Sequence, residues 1–215
     1  MSQEDFDIIN RETRKDKIIN TLKKNKKLIS IIIIFIILIF LSIFSFDYYK
    51  SNKKTKISDK FNSAKINYKI GNEINTVKEM REIILKEDKT YSPLALYFLI
   101  DRNLVNSKIE INDYFDIVIN NLKLSKSKKY LNIYKKALYN ADTASEQELL
   151  VMLGPLIKEN NEWKQHALYL MAEYYYENKE FEKSKEFFSS ILSLEDINPN
   201  IKLESQIRLQ RDLSD

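Results

Sequence analysis

The sequence contains no cysteine, one histidine, two glycines and three prolines in 215 residues. Each shortage removes a class of architecture or chemistry. Without cysteine there is no disulfide and no thiol nucleophile, although a cysteine-free chain suits an oxidising space as well as a reducing one. A lone histidine, His166, rules out a multi-histidine metal cluster and a histidine dyad. β-rich domains need many tight turns built on Gly, Asn-Gly or Pro. A doubly wound sheet needs clustered glycines at its phosphate turn, and Gly71 and Gly154 supply neither. The expected fold class is therefore all-α. The 31% charged and 44% apolar residues are an ordinary globular balance, and the length fits one or two domains.

What the chain does have is a run without charge, Leu28 to Phe46, of 19 residues, 16 of them apolar and three serine. At 1.5 Å per residue a helix of that length covers roughly 28 Å, close to the ~30 Å hydrocarbon core of a bilayer. A cleaved signal peptide would have a shorter apolar stretch ending in a small-x-small site, and "SIFSFDYYK" offers none. The expectation is an uncleaved transmembrane helix over 28–46. Eight Lys and Arg precede it in residues 1–27 and five follow in residues 47–60, an excess that favours a cytoplasmic N-terminus. The resulting division is a basic cytoplasmic tail (1–27), the span (28–46), a juxtamembrane linker (47–56) and a helical domain (57–215). The lysines hug the apolar run and residues 61–215 carry a net charge of −2, which argues against a nucleic-acid surface.

Within the domain, "ALYLMAE" (Ala167–Glu173) aligns without gaps on "ALYFLID" (Ala95–Asp101), 72 residues earlier. Half-way copies are expected near residue 130, where Leu131, Tyr134 and Leu138 stripe "KYLNIYKKALYNA", and near residue 59, where Phe61, Ala64 and Tyr68 do the same. Each has a second helix after it. Gly71-Asn72 breaks the first pair before Val77, Met80, Ile83 and Ile84. Ser92-Pro93 opens the second pair and Asn106-Ser107 divides it. Ser145 and Glu148 form a capping box ahead of "SEQELLVMLGPLIKE", which Gly154-Pro155 is expected to kink or end early. Asn178-Lys179 divides the last pair, and Asn198-Pro199 starts a terminal helix to Leu213. Pair starts fall near residues 57, 92, 126 and 161.

Two helices per unit and a period near 34 resemble the tetratricopeptide arrangement. The last unit is similar to that family in detail. Met171 and Ala172 take the close-packing positions, Tyr175 the aromatic of the first helix, Phe188 that of the second, and Ile191 packs near the end. Lys179 stands where the family usually turns on glycine. The resemblance implies a TPR-like α-solenoid of about four hairpins plus a C-terminal capping helix, with most of its aromatic residues, including Phe181 and Phe187, packed between helices. In the family's register the concave groove is lined by Leu94, Tyr97 and Asp101 in the second unit. Lys129, Asn132, Lys136 and Tyr139 follow in the third, and His166, Tyr169, Glu173 and Tyr176 in the last. Such a mixed aromatic and polar groove suits extended protein segments. Only Lys129 and Asn132 fit the carboxylate clamp that some tetratricopeptide domains use for chaperone tails.

No glycine-rich phosphate cradle is present, nothing marks a carboxylate pair for acid–base work, and the expectation is a non-enzyme without cofactor or metal. The layout of basic tail, single span and TPR-like domain resembles the YfgM-type ancillary subunit of the bacterial SecYEG translocon. "ELLVMLGPLIKENNEWKQHALYLMAEYYYENKEFEKSKEFFSSIL", with Trp163 opening a helix, carries the likeness, and "FNSAKINYKIGNEINTVKEM" carries it more loosely. That resemblance implies an inner-membrane protein with a periplasmic domain. Its partners would be the translocon, a membrane-anchored periplasmic folding factor and unfolded secretory chains. The same fold would also serve another envelope adaptor, in cell division or wall assembly, or an organellar receptor facing the cytosol.

Overall fold

A computed structural model describes residue 19 and residues 24–212 of the chain, so most of the expected basic tail and the end of the expected terminal helix lie outside the described residues. Every regular element among the described residues is a helix. The chain divides into two compact units, Met1–Lys56 and Ile57–Asp215.

The first unit contributes most of α1 (Lys26–Lys69), the one described helix long and apolar enough to cross a membrane. The large apolar side chains described between Leu28 and Phe46 are 45% to 79% exposed. Ser42 does not ask for water, because its hydroxyl donates to the Leu38 carbonyl at 2.8 Å.

The second unit is built from the end of α1 and eight further helices: α2 (Glu73–Ile84), α3 (Tyr91–Asp101), α4 (Lys108–Asp116), α5 (Lys126–Asn140), α6 (Glu146–Lys158), α7 (Lys164–Glu177), α8 (Phe181–Leu192) and α9 (Pro199–Ile207). α4 and α9 run on into π-helical turns, Ile117–Asn121 and Arg208–Asp212, which the sequence pattern does not announce. Short polar residues start the helices. Asn72, Ser107 and Asn198 accept backbone N–H groups from the first turns of α2, α4 and α9, and Ser145 and Glu148 complete a reciprocal capping box on α6. α3 begins at Tyr91, where the Asp88 carboxylate takes the backbone N–H groups of Thr90 and Tyr91 at 2.9 and 2.8 Å.

Two tight turns use a left-handed residue at matching places. Gly71 has φ +81° between α1 and α2, and Lys179 has φ +61° between α7 and α8. Glycine takes that conformation without steric cost, whereas a side chain costs about 1–2 kcal/mol.

Adjacent helices pair, α2 with α3, α5 with α6 and α7 with α8, and α6 also meets α7. Three apolar clusters result. One runs from α1 to α4 around Met80, Leu96, Leu99 and Phe115; the second joins α5, α6 and α7 around Leu149, Leu153, Leu156 and Met171; the third closes α7, α8 and α9 around Ala172, Phe188 and Ile191. Side-chain hydrogen bonds between neighbouring hairpins span 20 to 37 residues of chain, among them Lys136–Asp116, Asn112–Asn140, Tyr91–Ser58, Glu173–Arg208 and Lys183–Glu146.

Four expectations need correction. α6 continues through Gly154-Pro155 to Lys158. Proline crowds the Cβ of the residue before it, and a glycine at that place has none. The pair expected to open near residue 161 starts its helix at Lys164, because Asn160 to Trp163 form a loop in which Asn161 bonds the Leu156 and Glu159 carbonyls at 2.9 Å. In α5 the buried residues are Tyr130, Asn132, Ala137 and Asn140, while Leu138, expected in the stripe, is 51% exposed. Phe181, expected between helices, is 47% exposed.

Candidate functional site

The residues predicted to line a groove fall into separate places. Tyr97 and Asn132 are bonded to each other: the Tyr97 hydroxyl donates to Asn132 Oδ1 at 2.6 Å. Asn132 is only 2% exposed and uses its amide to donate to the Lys128 carbonyl at 2.7 Å, so it links α3 to α5 instead of facing a ligand. Burial pushes the Tyr97 phenol up to about 12, so near neutral pH it is a hydrogen-bond donor.

Beside this bond lies a cleft of about 200 Å³ between α3, α4 and α5, lined by Tyr97, Ile100, Asp101, Phe115, Lys135, Leu138 and Tyr139. Lys135 holds its ammonium 4.3 Å from the Tyr97 ring centroid. Asp101 is exposed at the rim. Tyr139 leans on Phe115, with ring centroids 6.0 Å apart. Lys129 is exposed to solvent.

His166 sits apart, between Trp163 and Tyr134 at 5.1 and 5.7 Å between centroids. Partial burial lowers its pKa, since the charged form loses hydration. The Trp163 Nε1 next to it is buried without a hydrogen-bond partner among the described residues.

Tyr169, Glu173 and Tyr176 come together on α7, but the chain itself engages them. Arg208, in the turn after α9, donates to both oxygens of Glu173 at 3.0 and 2.6 Å and lies 4.8 Å from the Tyr176 ring centroid. A bidentate guanidinium–carboxylate pair is among the stronger polar contacts a protein makes. Tyr169 turns its ring edge-on to Phe188 at 5.5 Å, and burial, followed by Glu173, raises its phenol's pKa. Tyr176 packs on Phe181 at 5.5 Å.

Sequence reasoning missed Lys135, Phe115 and Arg208. The signal for Arg208 was present, since it follows Glu173 by 35 residues, close to the period near 34 expected from the sequence. Lys135 and Phe115 carry no such mark; only folding places them against Tyr97.

Elsewhere, tyrosine, glutamate and a cation meet three times: Tyr114–Glu110–Arg81, Tyr130–Glu159–Lys126 and Tyr175–Glu146–Lys183. Burial opposes the charge on Glu110, yet hydrogen bonds from Tyr114 and Arg81 outweigh it and leave the carboxyl below its ordinary pKa. Burial first, then the neighbouring carboxylate, pushes the Tyr114 and Tyr175 phenols up to about 12. These groups are locked as donor and acceptor and act as ties between helices. Among the described residues no group of three or more His, Asp or Glu is placed to hold a metal ion.

No family model matches the chain, and neither the curated proteins nor the solved structures searched gave a significant match.

Proposed function

We propose that the chain is a single-pass membrane protein whose Ile57–Asp215 domain is a TPR-like stack that holds extended protein segments beside a membrane partner. The observation that carries this reading is the pairing of two features on one chain. An uncharged helical stretch leaves all its described large side chains uncovered, and side-chain bonds tie neighbouring helix pairs, three of them across 33 to 35 residues of chain. Apolar patches of that extent are rare on soluble monomers and mark a membrane or a partner. A repeated separation near 35 residues is what stacked tetratricopeptide-like units require.

In this reading the partner is the Sec translocon, together with a membrane-anchored folding factor, and the held segments are emerging secretory chains. The domain lies in the periplasm of a bacterial inner membrane. The cleft at Tyr97, Phe115 and Tyr139 is the open part of the groove and receives an apolar side chain, while the stretch at Glu173 is taken by Arg208. Binding is by contact area and by confinement at the membrane, with no chemistry on the bound chain.

Photo-crosslinking from Asp101 and Leu138 in intact membranes tests this. Recovery of translocon subunits and secretory chains supports it, and recovery of neither overturns it. Protease accessibility in sealed vesicles then separates a periplasmic domain from one facing the cytosol.

A further inference from the structure

Gly71 has a reason to be glycine in its turn; Gly154 stands inside α6, and a Cβ built on it meets nothing within 4 Å. Glycine there relieves the crowding of Pro155, yet it also leaves a notch on the outer face of the helix. Around the notch, Gln147, Leu150, Val151, Gly154, Pro155 and Lys158 follow helical spacing along one stripe. Val151 is 66% exposed beside it. A shallow, mostly apolar depression of about 650 Å³ lies on the stripe and another of about 410 Å³ lies beside it, and Val151 borders both. A protruding valine and an empty notch three residues apart, at the middle of a short helix, are complementary to themselves when the helix is reversed.

We propose that this stripe is a self-docking surface, where a second copy of the chain lays its α6 antiparallel against the first about a two-fold axis. Each Val151 then enters the other copy's notch at Gly154, Leu150 meets Pro155, and Gln147 lies opposite Lys158. Charge selects the antiparallel arrangement. The first turn of α6 carries Glu146 and Glu148 and its last turn carries Lys158. Lys183 and Tyr175 already hold Glu146, whereas Lys158 has no carboxylate partner among the described residues. Reversal brings Lys158 of each copy to the acidic end of the other, where a parallel pairing would set like ends together. One helix face per copy is small beside a standard interface of about 1,600 Å², so association is weak and concentration-dependent. The proposal stands on α6 alone and does not rest on the function proposed above.

The absence of cysteine makes the test clean. In the full chain, in detergent and in vesicles, Gln147→Cys and Lys158→Cys are made singly and together. They are treated with a bismaleimide too short to span the roughly 16 Å between these positions within one helix. The double variant is expected to yield crosslinked dimer and both single variants little. Adding Val151→Glu, a change at an exposed side chain that leaves the helical circular dichroism intact, is expected to lower the yield about tenfold. Equal yields from single and double variants overturn the antiparallel register. Crosslinks only to other proteins, or a yield indifferent to Val151→Glu, overturn self-docking through this face, the latter including association through the apolar part of α1.

Discussion

Ala64 and Thr76 in the first hairpin of the helical domain stand 108 residues before Ala172 and Ser184 in the last. In both hairpins a buried hydroxyl donates to the carbonyl of a buried alanine on the preceding helix, Thr76 at 3.1 Å and Ser184 at 2.9 Å. The same offset pairs Met80 with Phe188 and Ile83 with Ile191, all fully buried, and Gly71 with Lys179, both at positive φ. The hairpins differ in filling and finish. The first uses a flexible methionine and an unstrained glycine turn; the last uses a rigid phenylalanine and a lysine forced into the left-handed region. One backbone plan is therefore met by two sequences, and the differences isolate what each residue contributes.

The deepest cut into this comparison is at the core pair. Phe188→Ala is expected to cost about 3–5 kcal/mol and Met80→Ala about 2–5 kcal/mol, with Phe188 the larger. Urea unfolding followed by circular dichroism reads both, and similar small losses would mean that the hairpins are not held by these residues.

The next step removes the shared hydroxyl bond. Thr76→Val and Ser184→Ala are each expected to cost about 1 kcal/mol, because the bond is lost while the volume is nearly kept. The single Thr76 proton is shared with the Asn72 carbonyl at 2.9 Å, an acceptor within its own helix, so the first hairpin should lose less than the last.

Exchanging the turn residues should act with opposite signs. Lys179→Gly is expected to raise stability by about 1 kcal/mol and Gly71→Ala to lower it by a similar amount. If both changes lower the thermal midpoint, the strain at Lys179 is not real.

The smallest difference concerns protons. His166 in the last hairpin corresponds to Ser58, a hydroxyl without an ionisation in this pH range, which accepts from Tyr91 at 2.8 Å. Because partial burial holds the His166 pKa below its ordinary 6.5, the unfolded chain takes up the proton first as pH falls. This stabilising contribution is complete above about pH 6.5 and drains away below it. Native protein is expected to lose slightly more stability than His166→Gln between pH 7.5 and 5.5; identical profiles would remove the effect.

The helices were legible because apolar residues recur at helical spacing and because Asn72, Ser107, Ser145 and Asn198 announce helix starts. Where reading failed, the chain used polar groups inside or kept apolar ones outside. Asn132 and Asn140 are buried because Tyr97 and Asn112 satisfy their amides, a partnership that hydropathy cannot register, and they displace Leu138 to the surface. The candidate groove was less legible than the helices. Register alone set Tyr97 and Asn132 side by side as ligand contacts, but their mutual bond spends the polar atoms meant for a partner. Lys135 and Phe115, which line the open cleft, depend on how α4 and α5 converge and leave no pattern along the chain.

The chain distance between tied groups has a temporal side. A side-chain bond between neighbouring hairpins needs no more than about 37 residues of chain between its ends, and short loops close quickly. Each layer can therefore close without waiting for distant parts of the chain. Arg208 reaches Glu173 across 35 residues of chain, so the clasp beside α9 closes over a loop no longer than those within the stack.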